Sequence, residues 1–135
     1  MSDAVFLDSG IFIALMSKRD RWHPHAAALF GGPKVRWWTS MLVVAETYSW
    51  FLHRMGEEPA RTYRSLLANM SGLTILDATA AHHAQVESML DRFRGAKLSY
   101  VDASSLYFID RKKIKHVWST DHHLGLTGAE ILPRS

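Results

Sequence analysis

The stretch Ala4-Val-Phe-Leu-Asp-Ser-Gly10 constrains this chain more than any other. An apolar run of four ends abruptly in an acid, a hydroxyl and a glycine, and a second apolar run, Ile11 to Met16, follows at once. Four apolar residues bounded by breakers read as a short buried strand, and Ser9 suits the N-cap of the helix that follows. Asp8 is therefore expected at the carboxyl end of a buried strand, above the first helix. In open α/β sheets that crevice is where ligands bind. A plain turn residue would look the same on this stretch alone, so the remaining chain decides.

The same grammar recurs. The first strand, 4–8, leads into a helix over 9–18 and a polar turn. Pro24 opens a short helix at 25–30, which Gly31-Gly32-Pro33 closes. A strand at 35–39 carries Trp37 and Trp38. Ser40 then caps a helix over 41–55 that ends at Gly56. Helices over 59–70, 79–94 and 99–113 alternate with strands at 73–76 and 116–120, and a weak fifth strand covers 130–132. Alternation of this kind calls for an α/β fold, a parallel sheet covered on both faces. With 135 residues and neither repeat nor linker, residues 1–135 are expected to form one domain.

Cysteine is absent, which removes disulfides and thiolate metal sites. The start, Met1-Ser-Asp, lacks the basic end and apolar stretch of a leader, and Ile11–Met16 is too short to span a bilayer. A soluble, cytoplasmic protein without a membrane segment is expected. Net charge is +3 and the pI about 9.4. The densest basic run is Arg111-Lys-Lys-Ile-Lys115, which suits a phosphate backbone, although cations also favour a helix carboxyl end.

Three further acids fall at telling places. Glu46 lies within Met41-Leu-Val-Val-Ala-Glu-Thr-Tyr-Ser-Trp-Phe-Leu52, with Leu42, Val43, Ser49 and Trp50 as helical neighbours. A carboxylate there either snorkels to water or is held by a partner. Asp102 heads an apolar stripe with Leu106 and Ile109, yet Ser99-x-x-Asp102 also fits a capping box. Asp121 follows Val117-Trp-Ser-Thr120 and repeats the strand-then-acid arrangement of Asp8. Each acid has an ordinary local explanation, but the four at these junctions do not share one.

Gathered carboxylates repel, and stay ionised near neutrality only beside cations. An all-oxygen set suits Mg²⁺ or Mn²⁺. Such a cation makes bound water more acidic and stabilises charge developing on a phosphodiester. Basic residues around the rim would hold a nucleic-acid strand. Acids at the centre and bases outside describe a nuclease better than a passive binder.

Leu7-Asp-Ser-Gly10, Val44-Ala-Glu46, Leu98-Ser-Tyr-Val-Asp-Ala103 and Ser119-Thr-Asp121 resemble the successive motifs of the PIN domain family, in particular its small VapC-like members. No single motif is specific; the ordered set spans essentially the whole chain. The resemblance implies a three-layer α/β/α sandwich with a parallel sheet in strand order 3-2-1-4-5. It also implies Mg²⁺- or Mn²⁺-dependent endoribonuclease activity on single-stranded or loop RNA. Asp8, Glu46, Asp102 and Asp121 match the acidic quartet, as catalytic and metal-holding residues. Ser9 and Ser119 match hydroxyl residues that support it. Where some members carry another acid after the last Asp, His122 and His123 stand here. The resemblance further implies a homodimer and a toxin whose cognate antitoxin lays a peptide along the groove.

Other features yield less. His82 and His83 are adjacent on a helix and do not share a face. His23, His25, His53 and His116 are scattered, while His122 or His123 is placed to touch a substrate phosphate. Trp37, Trp38, Trp50, Phe51 and Trp118 read as core or interface, with Trp50-Phe51 the choice for a dimer or antitoxin surface. Competing functions are a PIN-like RNA-processing or RNA-binding domain and an aspartyl-phosphate phosphatase with Asp8 as nucleophile. The phosphatase reading wants a second Asp where Gly10 stands.

Overall fold

A computed structural model describes residues 3–133. Met1 and Ser2, on which the leader reading partly rests, lie outside the described residues. Five strands, β1 (Ala4–Leu7), β2 (Arg36–Ser40), β3 (Thr74–Leu76), β4 (His116–Trp118) and β5 (Glu130–Leu132), form one parallel sheet ordered β3-β2-β1-β4-β5. β1 is central because Val5, Phe6 and Leu7 are buried on both faces, which only a covered strand tolerates. Helices α1 (Ser9–Met16), α2 (His23–Phe30), α3 (Met41–Met55), α4 (Glu57–Ala68), α5 (Ala80–Arg92) and α6 (Tyr100–Arg111) complete the expected three-layer α/β/α sandwich. None of these helices is long and apolar enough to cross a membrane.

Side-chain caps set the starts of α3, α5 and α6. Ser40 accepts from Val43 N–H at 3.2 Å, and Thr79 accepts from His82 N–H at 3.3 Å. Ser99 and Asp102 form the anticipated capping box. Ser9 does not cap α1: Asp8 occupies the cap position without a side-chain capping bond, and Ser9 is the first helical residue. α2 and α4 each begin earlier than Pro24 and Pro59, because a proline inside the first turn removes an N–H that has no helical partner anyway. β4 ends at Trp118, so Asp121 lies beyond the strand and caps an unanticipated 3₁₀ turn at His122–Gly125.

Phe12, Phe51 and Tyr63 stack around one point of the core, with Tyr63 centred 5.4 Å from each of the other rings. Phe51 is thus fully buried in the chain's own core, and the expected Trp50-Phe51 docking surface does not exist as a pair. Adjacent helical residues diverge by about 100°; Trp50 alone faces outward. Trp118 packs edge-on against Phe30 at 5.1 Å, as core.

The first turn of α1 lies against the loop after β4. A methyl group on Gly10 would overlap Thr120 Oγ1 and stand 3.3 Å from Thr120 Cβ. Gly10→Ala is therefore expected to lose about 1–3 kcal/mol of stability through overpacking. Thr120→Ala in the same chain should recover most of that loss. Urea unfolding of the two single variants and the double variant checks this, and simple additivity would refute the contact.

Candidate functional site

The site follows from strand register. Leu7 pairs with Trp118, so the residues after β1 and β4 emerge side by side at the carboxyl edge. Asp8 N–H extends the ladder to Trp118 O at 3.1 Å, and Ser119 N–H reaches Leu132 O at 2.8 Å. Asp8 is buried, and its carboxylate accepts a 2.8 Å hydrogen bond from Ser119 Oγ. The same Ser119 oxygen accepts Asp121 N–H at 2.9 Å. Both strand ends are thereby fixed through one hydroxyl.

Helices bring the other two acids. Glu46, in the second turn of α3, stands at the rim, where it accepts from the Ser9 hydroxyl. Asp102 sits in the first turn of α6, its N–H bonded to Ser99 Oγ at 3.0 Å and its Oδ2 3.4 Å from Ser99 N. The capping and cleft-facing readings of Asp102 coexist. Asp8, Glu46, Asp102 and Asp121 all line one cleft of about 400 Å³, together with Ser9, Ile13, Trp50 and Thr120.

Electrostatics show what this proximity means. Burial pushes the Asp8 carboxyl up to about 7, with repulsion from Asp102 and Glu46 adding to it; the bonds from Ser119 and the Ser9 amide only partly offset the rise. Glu46 is raised by partial burial and then by Asp102 and Asp121. Asp102 is raised by burial and by Asp121, while Ser99 and His123 pull it down. Three raised carboxyls in one cleft are what an electropositive ligand would relieve.

The donors in the cleft fit a divalent cation, and one histidine joins them. Asp102, Asp121 and His123 bring ligand atoms within 4.8 Å of one another. Among the described residues, Asp8 and Glu46 share the cleft but not that cluster. His123 Nδ1 is buried without a hydrogen-bond partner, an atom that a cation would satisfy. The sequence places this residue where some PIN members carry another acid and suggests a phosphate contact for it. Its spacing two residues after Asp121 was the available signal, because Asp121 Oδ1 accepts His123 N–H at 2.9 Å and turns the imidazole back toward the acids.

The basic run does not rim the acids. α6 carries the chain from Asp102 at the cleft to Arg111, and Lys112, Lys113 and Lys115 line a separate cavity with Arg36 and His116 at the amino ends of β1, β2 and β4. That is the opposite edge of the sheet.

Known proteins agree with this architecture. The chain is similar in structure to VapC20 of Mycobacterium tuberculosis, a sarcin-ricin loop cleaving toxin, with a TM-score of 0.85 and 24% identity over 93% of this chain and 96% of that one. FitAcB from Neisseria gonorrhoeae gives a TM-score of 0.68 at 14% identity, over 96% of each chain. No curated protein matches the sequence. The PIN domain model matches residues 5–128, so the chain belongs to the PIN domain family.

Proposed function

We propose that this protein is a divalent-cation-dependent endoribonuclease and acts as the toxin of a toxin–antitoxin pair. The convergence of Asp8, Glu46, Asp102 and Asp121 on one cleft at the carboxyl edge of a PIN sheet carries the reading. The fold likeness to VapC20, a toxin that cuts the sarcin-ricin loop, supports RNA as substrate.

In this reading the four carboxylates hold Mg²⁺ or Mn²⁺. Bound by them, such a cation would neutralise the acids, make a water molecule more acidic and stabilise negative charge developing on a phosphodiester. The chain's own residues prepare that chemistry. Ser119 holds the Asp8 carboxylate in one orientation, and Ser9 does the same for Glu46. Ile13 and Trp50 give the cleft an apolar wall, which excludes water on one side of the acids. A cognate antitoxin that covers this cleft would silence the enzyme.

The decisive experiment is RNA cleavage with Mg²⁺ or Mn²⁺. Asp8→Asn and Asp102→Asn should each lower the rate by on the order of 100-fold or more while circular dichroism stays unchanged. Variants that cleave like wild type would remove the quartet as the active site. Cells induced for the wild-type chain should stop growing and those induced for Asp8→Asn should not; unaffected growth in both removes the toxin role and leaves the nuclease.

A pH dependence also follows. The Asp8 carboxyl, at about 7 in the folded protein, lies above its unfolded value of about 4. Between these values the unfolded chain has released a proton that the folded chain retains, so stability falls as pH rises, by up to about 4 kcal/mol above pH 7. Urea midpoints of the cation-free protein should decline from pH 5 to pH 8, and Asp8→Asn should flatten the decline. Added Mn²⁺ should restore the wild-type midpoint at pH 8.

A further inference from the structure

We infer that His123 is a direct ligand of the cation, beside Asp102 and Asp121, and that its imidazole shifts the site's preference from Mg²⁺ toward first-row transition cations. The inference rests on the metal-dependent reading above and adds to it a residue and a selectivity.

The geometry is specific. His123 Nδ1 lies 3.0 Å from Asp121 Oδ1 and 4.0 Å from Asp102 Oδ2. Ligands about 2.1 Å from an octahedral cation lie about 3.0 Å apart when adjacent and about 4.2 Å apart when opposite. Both separations fall in that range. A protonated imidazole acting only as counter-ion would aim its N–H at a carboxylate oxygen. At 3.0 Å it would then form a hydrogen bond, yet Nδ1 is buried and makes none. The ring is held there by its own backbone, because His123 N–H caps onto Asp121 Oδ1 at 2.9 Å in the 3₁₀ turn.

The chemistry sets the preference. Mg²⁺ takes oxygen ligands and keeps its waters, whereas imidazole nitrogen suits first-row transition cations. One nitrogen among carboxylates weakens Mg²⁺ binding relative to those cations. His122, next in the chain, is exposed and outside the cluster, and serves as an internal control.

Pulsed electron paramagnetic resonance of the intact protein loaded with Mn²⁺ tests ligation without reference to catalysis. Wild type and His122→Ala should show ¹⁴N modulation from a coordinated imidazole, and His123→Ala and His123→Asp should not. In calorimetric titrations, wild type should bind Mn²⁺ more tightly than Mg²⁺. His123→Ala should shrink that ratio by roughly tenfold or more, and His123→Asp should bind Mg²⁺ at least as well as wild type. Bound Mn²⁺ without ¹⁴N modulation in wild type, or an unchanged ratio in His123→Ala, overturns this inference and leaves the metal-dependent nuclease standing. A wild-type protein that binds neither cation overturns both.

Discussion

The rest of the site depends on one hydroxyl. Ser119 Oγ donates its only proton to the buried Asp8 carboxylate and receives Asp121 N–H on a lone pair, joining residues 111 positions apart. A hydrogen bond to a charged group contributes about 1.5–3 kcal/mol. Burial and the neighbouring acids outweigh it, since the Asp8 carboxyl is still pushed up to about 7. The bond therefore fixes where the carboxylate points without relieving its isolation. The fold supplies orientation and leaves the Asp8 carboxyl pushed up to about 7.

That division explains why the acids come from four separate elements. Mutual repulsion would spread carboxylates placed on one flexible loop. Here Asp8 is tied to the central strand, Glu46 to α3, Asp102 to the first turn of α6 and Asp121 to a 3₁₀ turn. Separating them means distorting the sheet or a packed helix, which a close-packed core resists. The near contact of Gly10 with Thr120 belongs to the same bracing, because it seats the start of α1 on the loop that carries Asp121.

The parts legible in the sequence were those with a period or a punctuation mark. Strand ends read as apolar runs stopped by Asp8 and by the segment before Asp121; Ser40 and Ser99 read as caps, and the alternation of elements gave the parallel sheet. Ser9 misled because capping propensity is a property of residue type, while the local backbone put Asp8 in that place. His122 and His123 were not told apart, because a 3₁₀ turn of four residues has no periodicity to show which of the two faces the acids. The basic run was misplaced because composition carries no direction. A twelve-residue helix spans about 18 Å, enough to carry Arg111 away from the cleft that its first turn lines.

Asp102 shows how scaffold and site share one side chain. Its Oδ2 makes a long 3.4 Å capping contact with Ser99 N and lies 4.0 Å from His123 Nδ1. A first-turn carboxylate is stabilised by the positive end of the helix, so α6 offsets part of the repulsion from Asp121 that its own fold creates. A weak cap at the start of a helix whose next turns are buried, through Ala103, Ser104, Ser105 and Leu106, is affordable because packing holds that helix. The stability of α6 thus comes from its buried face, which leaves the Asp102 carboxylate available to the cleft.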